Sequence, residues 1–83
     1  MKNLIIKELQ QSIEVELNKI AQNFNEYDDM TAGMALSMEF FRYNEFAKVE
    51  YIKSRHELGL TKEEIEKAID ESVSKVLRKY LEL

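Results

Sequence analysis

MTAGMALSMEFFRYNEFAKVEYIKSRHEL, residues 30–58, carries apolar side chains on two nearly opposite faces of one helix. Successive helical residues lie about 100° apart around the axis. On that wheel one stripe holds Met30, Met34, Met38, Phe41, Val49 and Ile52, with Glu45 and His56 among them. The other holds Leu36, Phe40, Tyr43, Ala47, Tyr51 and Leu58. Their centres stand roughly 150° apart. In a closed three-helix bundle the two neighbours of a helix subtend only about 60°, and one broad stripe serves both. Opposed stripes instead place this helix between neighbours. A second copy of the chain is a natural source of the missing one, because two-fold dimers are the commonest assembly.

The flanking segments each carry a single narrow seam. Before the central helix, Ile6, Leu9, Ile13, Leu17, Ile20 and Phe24 recur three or four residues apart, with Val15 on the opposite, exposed side. A polar connector follows, containing Asn23, Asn25, Glu26, Asp28 and Asp29. Asp28 or Thr31 supplies an N-cap for the central helix, since a short oxygen-bearing side chain accepts a bond from an orphan N–H. Gly59 stops the central helix by adopting the left-handed conformation. Thr61 and Glu64 then form a Thr-x-x-Glu capping box for a last helix. That helix carries Ile65, Ile69, Val73, Val76, Tyr80 and Leu83, and Lys75, Arg78 and Lys79 complement its dipole.

The expected fold is therefore all-α. Residues 1–83 form one domain, an antiparallel three-helix hairpin or bundle with helices at about 4–24, 30–58 and 62–82, completing its core as a helical homodimer. At 83 residues the chain has room for one core. Domains of this size rely on a disulfide, a metal, an oligomer or very regular helix packing. Cysteine is absent and His56 is the one histidine, which removes disulfides and a typical structural zinc site. Two glycines and no proline argue against an all-β chain.

The same composition excludes most chemistries. A hydrolytic triad needs a base beside its nucleophile, and Ser54 lies on a different helix face from His56. The paired carboxylates Glu14 and Glu16, Glu63 and Glu64, and Asp70 and Glu71 sit among lysines, the pattern of a solvated helix face. No Glu-x-x-His pair and no Gly-rich phosphate loop occurs. The oxygen-rich connector lacks EF-hand spacing. No enzyme activity, cofactor or metal is expected.

Leu58-Gly-Leu-Thr-Lys-Glu-Glu-Ile65 resembles the turn of a helix-turn-helix, with Leu58, Leu60, Ile65 and Ala68 where that motif wants apolar residues. Arg55 occupies a position usually small, and Lys62-Glu-Glu-Ile-Glu66 would present net negative charge to phosphates. The balance of 12 basic against 16 acidic residues, a net charge of −4, adds no polyanion bias. The N-terminal apolar run stops at Lys7, short of a secretory signal, and no stretch has the roughly 20 apolar residues of a membrane span. A cytoplasmic location is expected. The Lys-, Glu-, Ile- and Asn-rich composition points to an AT-rich bacterial, plasmid or phage genome.

What remains is a small protein-interaction module: an adaptor, inhibitor or antitoxin-like regulator that binds itself and a larger, unidentified protein. The alternatives are a nucleic-acid-associated regulator using the Gly59 hairpin, and a structural assembly or scaffold factor. The candidate interface is the first stripe: Met30, Met34, Met38, Phe41, Glu45, Val49, Ile52 and His56. The row Met30, Met34, Met38 reads more readily as gap-filling core than as an adaptable contact surface.

Overall fold

The computed structural model describes residues 1–23 and 30–81, and within the second span the side chains from Gly33 onward. These residues form four helices packed together: α1 (Lys2–Gln22), α2 (Met30–Lys53), α3 (Arg55–Leu58) and α4 (Lys62–Leu81). Phe24, Asp28 and Leu83 lie outside the described residues. Thr31 falls inside α2 and so does not precede it as a cap.

The core is assembled from one seam per long helix. Helix α1 contributes Leu9, Ile13, Leu17 and Ala21, and α2 contributes Leu36, Phe40 and Ala47. The largest share comes from α4, where Ile65, Ala68, Ile69, Ser72, Val73 and Val76 are buried. This helix packs extensively against both α1 and α2, while α1 and α2 touch each other less. The helix between two neighbours is thus α4, and not α2 as the opposed stripes implied. Ala68 and Ser72 are buried beside Ile65, Ile69, Val73 and Val76, so the buried face of α4 is broader than its large apolar residues alone would make it.

Polar contacts fix the directions. Along α1 and α4, Lys2 pairs with Glu64 at 3.3 Å, the Gln10 amide donates to the Ala68 carbonyl at 3.2 Å, and Glu14 pairs with Lys75 at 3.0 Å. Further along, the Tyr80 hydroxyl donates to Asn18 Oδ1. Both sets of numbers rise together, so α1 and α4 run parallel. Helix α2 runs the other way: a Cβ on Gly33 would lie 3.5 Å from Leu81, while Asn44 and Lys48 reach Asp70. The ion pairs are at the surface and each contributes about 0–1 kcal/mol, so they set register more than stability.

The helix expected to run from residue 30 to 58 is interrupted at Ser54 (φ −95°, ψ 10°). There the Ser54 N–H bonds the Tyr51 carbonyl at 3.1 Å, a tighter turn than the α-helix uses. The Arg55 guanidinium donates to the Ile52 carbonyl at 3.0 Å and satisfies an oxygen near the break. Apolar periodicity runs straight through this point, which is why spacing alone does not reveal it.

The following turn matches the sequence reading. Gly59 has φ +70°, and its N–H closes back on the Arg55 carbonyl. The Glu64 N–H donates to Thr61 Oγ1 at 3.1 Å, and the Thr61 N–H donates to Glu64 Oε1 at 2.9 Å. Those bonds to the ionised form, the backbone N–H of Thr61 foremost, hold the Glu64 carboxyl below its usual range. Thr61→Ala should cost about 1 kcal/mol of stability in urea unfolding. A Cβ at Gly59 would meet nothing within 4 Å, so the penalty of Gly59→Val is purely conformational, about 1–2 kcal/mol. Unchanged urea midpoints for both variants would contradict this hairpin.

Candidate protein interface

Helix α2 is apolar on both sides, and its own chain covers only one. Leu36, Phe40 and Ala47 are buried, and Tyr43 and Tyr51 pack beside them. On the other side Met34 (68% exposed), Met38 (59%), Phe41 (67%) and Val49 (55%) face outward. These four belong to the stripe picked out from the sequence. Monomeric proteins rarely leave a contiguous apolar patch of this kind uncovered. Met34 and Met38 are therefore surface residues, which overturns their reading as gap-filling core.

The remaining members of that stripe divide. Met30 opens α2, and its side chain is not among those described. Glu45 is exposed in the middle of the patch and makes no ion pair among the described residues, so it escapes the cost of a buried lone carboxylate. Ile52 is half-buried and rests against the core. His56 is exposed but sits on α3, beyond the break at Ser54, and so leaves the straight line of α2.

Sequence reasoning missed Phe46, which is 62% exposed. It lies roughly 100° around the wheel from the centre of the exposed stripe, so neither stripe claimed it. A simpler signal was available: a phenylalanine outside every seam is an exposed aromatic by elimination.

The edges of the patch are charged. Arg42 pairs with Glu39 at 3.3 Å and Lys53 with Glu50 at 3.6 Å, each within one turn of α2. Lys48 is turned toward α4, where its ammonium meets Asp70 at 3.0 Å. Burial pushes the Asp70 carboxyl up, but the Asn44 amide and the Lys48 ammonium outweigh it and hold it below its usual range. The amide's donation to Asp70 leaves the buried Asn44 Oδ1 without a partner among the described residues.

Tyr43 and Tyr51 occupy the side of α2 near Glu16 of α1. Burial, then Tyr51 and Glu16, push the Tyr43 hydroxyl up from 10.0 to about 12. A raised folded-state value means the folded chain holds this proton more tightly than the unfolded one. Its contribution is thus complete below about pH 10 and is lost as pH climbs from 10 towards 12. Tyr43→Phe should flatten the alkaline fall of the urea midpoint between about pH 10 and 12. An equally steep fall in the variant would assign it to other groups.

Elsewhere the surface offers little chemistry. An open, shallow depression on α4 is lined by Asp70, Glu71, Ser74, Lys75 and Arg78, of which Asp70, Glu71 and Lys75 pair with Lys48, Lys67 and Glu14 outside it. Among the described residues no three His, Cys, Asp or Glu side chains converge as metal ligands, and no helix is long and apolar enough to cross a membrane. Leu60, Ile65 and Ala68 around the Gly59 turn are buried, as any packed helical hairpin requires. No family model, curated protein or solved structure matches the chain.

Proposed function

We propose that this chain is a small, non-enzymatic protein-interaction module whose exposed α2 face is covered by protein in use. The observation that carries the reading is that face: four large apolar side chains, each more than half exposed, in one row interrupted by the exposed Glu45, on a helix whose opposite side builds the core. Leaving such a row in water forgoes about 1.5–3 kcal/mol for each side chain that a partner could bury. A second copy of the chain would complete the bundle as a homodimer. A larger protein, inhibited or recruited through the same row, would make the chain an adaptor or an antitoxin-like regulator of cytoplasmic, phage or plasmid origin. The Gly59 hairpin supports the nucleic-acid alternative less well, because Lys62, Glu63, Glu64 and Glu66 open α4 with net negative charge.

Light scattering at micromolar concentration tests self-association, with at least twice the 9.8 kDa chain mass expected. Affinity capture from the native host, run with the wild type and with Met38→Glu, tests the larger partner. Proteins retained by the wild type and lost by the variant identify it. Identical recoveries from both, together with a clean monomer by scattering, would remove the α2 face as an interface.

A further inference from the structure

Among the described charged side chains of α2, all but one have an ion-pair partner. Glu39 pairs with Arg42, Glu50 with Lys53, and Lys48 with Asp70 of α4. That leaves Glu45, which is exposed and forms no ion pair among the described residues. Every Lys and Arg of the chain, and His56, is a described residue, so the remaining stretches contain no cation to supply one.

Glu45 also lies inside the outer apolar row. Phe41 precedes it by four residues and Val49 follows it by four, so each is one turn away on the same face. A protein that buries Phe41 and Val49 therefore takes the Glu45 carboxylate out of water as well. A desolvated carboxylate is strongly destabilising unless a cation meets it. We infer that the occupant of this face is an amphipathic helix of another protein, carrying one Lys or Arg within its apolar seam to meet Glu45. This rests on the proposed reading of the face as a protein interface and names the chemistry of its partner.

The backbone of the partner decides its form. Met34, Met38, Phe41, Glu45 and Val49 make a single row, spaced 4, 3, 4 and 4 residues apart, and about 22 Å long at 1.5 Å per residue. The described residues contain no strand, so the face offers no edge to which an extended segment can hydrogen-bond. The N–H and C=O groups of such a segment would lie unpaired against methionine and phenylalanine. A helix satisfies its own backbone and presents side chains at the same three- and four-residue spacing. About four turns match the row.

A second copy meets the charge requirement less well. It brings another Glu45, and its Arg42, Lys48 and Lys53 already hold partners within their own chain. A cation drawn across the contact gives up the pair it leaves. A foreign helix with a cation in its seam needs no such exchange, so it displaces whatever self-association the row supports. The net charge of −4 adds a general attraction for a basic partner.

Three synthetic peptides test this, each about 18 residues, or five turns, in an alanine-rich host that is helical on its own. They share one leucine seam and differ at its central position, which is Lys, Gln or Glu. Isotopic labelling of the methionine methyl groups puts reporters on the row, at Met34 and Met38, and away from it, at Met1. The lysine peptide should shift the Met34 and Met38 signals, leave Met1 in place, and bind about tenfold or more tighter than the glutamine peptide. The glutamate peptide should bind weakest. Glu45→Lys should reverse that order, and Glu45→Gln should bring the three affinities together, both with the wild-type circular dichroism expected of an exposed substitution. In excess lysine peptide, scattering should show one chain with one peptide.

Equal affinities for the wild type, with Met34 and Met38 shifting alike, would overturn the basic helix and leave the face as an interface. An order that Glu45→Lys fails to reverse would overturn it too. A self-associated mass that persists in excess lysine peptide would assign the row to a second copy. No shift at Met34 or Met38 with any peptide up to about 1 mM would also sink the inference. The paired capture with Met38→Glu then decides separately whether a protein of another kind uses the face.

Discussion

Phe40→Ala should remove most of the chain's stability. Phe40 is fully buried, the largest such side chain among the described residues, and it stands where α2 meets the core. Truncating a buried phenylalanine costs about 3–5 kcal/mol, from lost transfer energy and from the cavity left behind. Domains hold roughly 0.05–0.15 kcal/mol per residue, so a chain of 83 residues has on the order of 4–12 kcal/mol to lose. The variant should show a urea midpoint lowered by about a quarter or more, and at the lower end of that range a largely unfolded baseline. A midpoint within error of the wild type would show that α2 packs on its other face, and the assignment of its two stripes would be reversed.

That assignment is the point where the sequence ran out. The seams of α1 and α4 were legible because each helix is apolar on one side only. Leu9, Ile13 and Leu17, like Ile65, Ile69, Val73 and Val76, lie where three-and-four spacing puts them. The Gly59 stop and the Thr61–Glu64 box were legible because each rests on local chemistry that tertiary packing does not alter. In α2 the two stripes carry similar apolar weight, so their contributions around the helix largely cancel and periodicity ranks neither. What decides is shape supplied by another element. Ala68 and Ser72 belong to the buried face of α4, and Ser72 is a polar residue that a hydrophobic pattern does not count.

The same reasoning accounts for the methionines. Met was read as core because its flexible side chain fills gaps. Here the inward side of α2 is filled by Leu36, Phe40 and Ala47, with Phe40 fully buried. Met34 and Met38 were left on the outer side, where their ability to re-pack suits a surface that meets partners of more than one shape.

Phe41→Glu is the complementary experiment, one residue along the chain and opposite in its expected consequence. Phe41 is 67% exposed, against 0% for Phe40. Within a single copy its replacement touches little, and surface changes of this kind alter stability by about 0.5 kcal/mol or less. Helical ellipticity should stay near that of the wild type. Where protein covers the outer face of α2, however, Phe41 lies inside the contact, one turn from Glu45. A glutamate there would be desolvated among apolar groups without a partner, at a cost of several kcal/mol. Each 1.4 kcal/mol is a factor of ten in the dissociation constant, so association should weaken by about 100-fold or more. The two species should also melt differently. A dimer gains stability with concentration, so the wild-type melting temperature should rise on concentrating the protein. That of Phe41→Glu should stay constant at a mass of 9.8 kDa. A variant that remains dimeric would place the interface elsewhere. A variant that loses its helical signal at every concentration would place Phe41 inside the protomer's own core and end the case for α2 as an outward-facing interface.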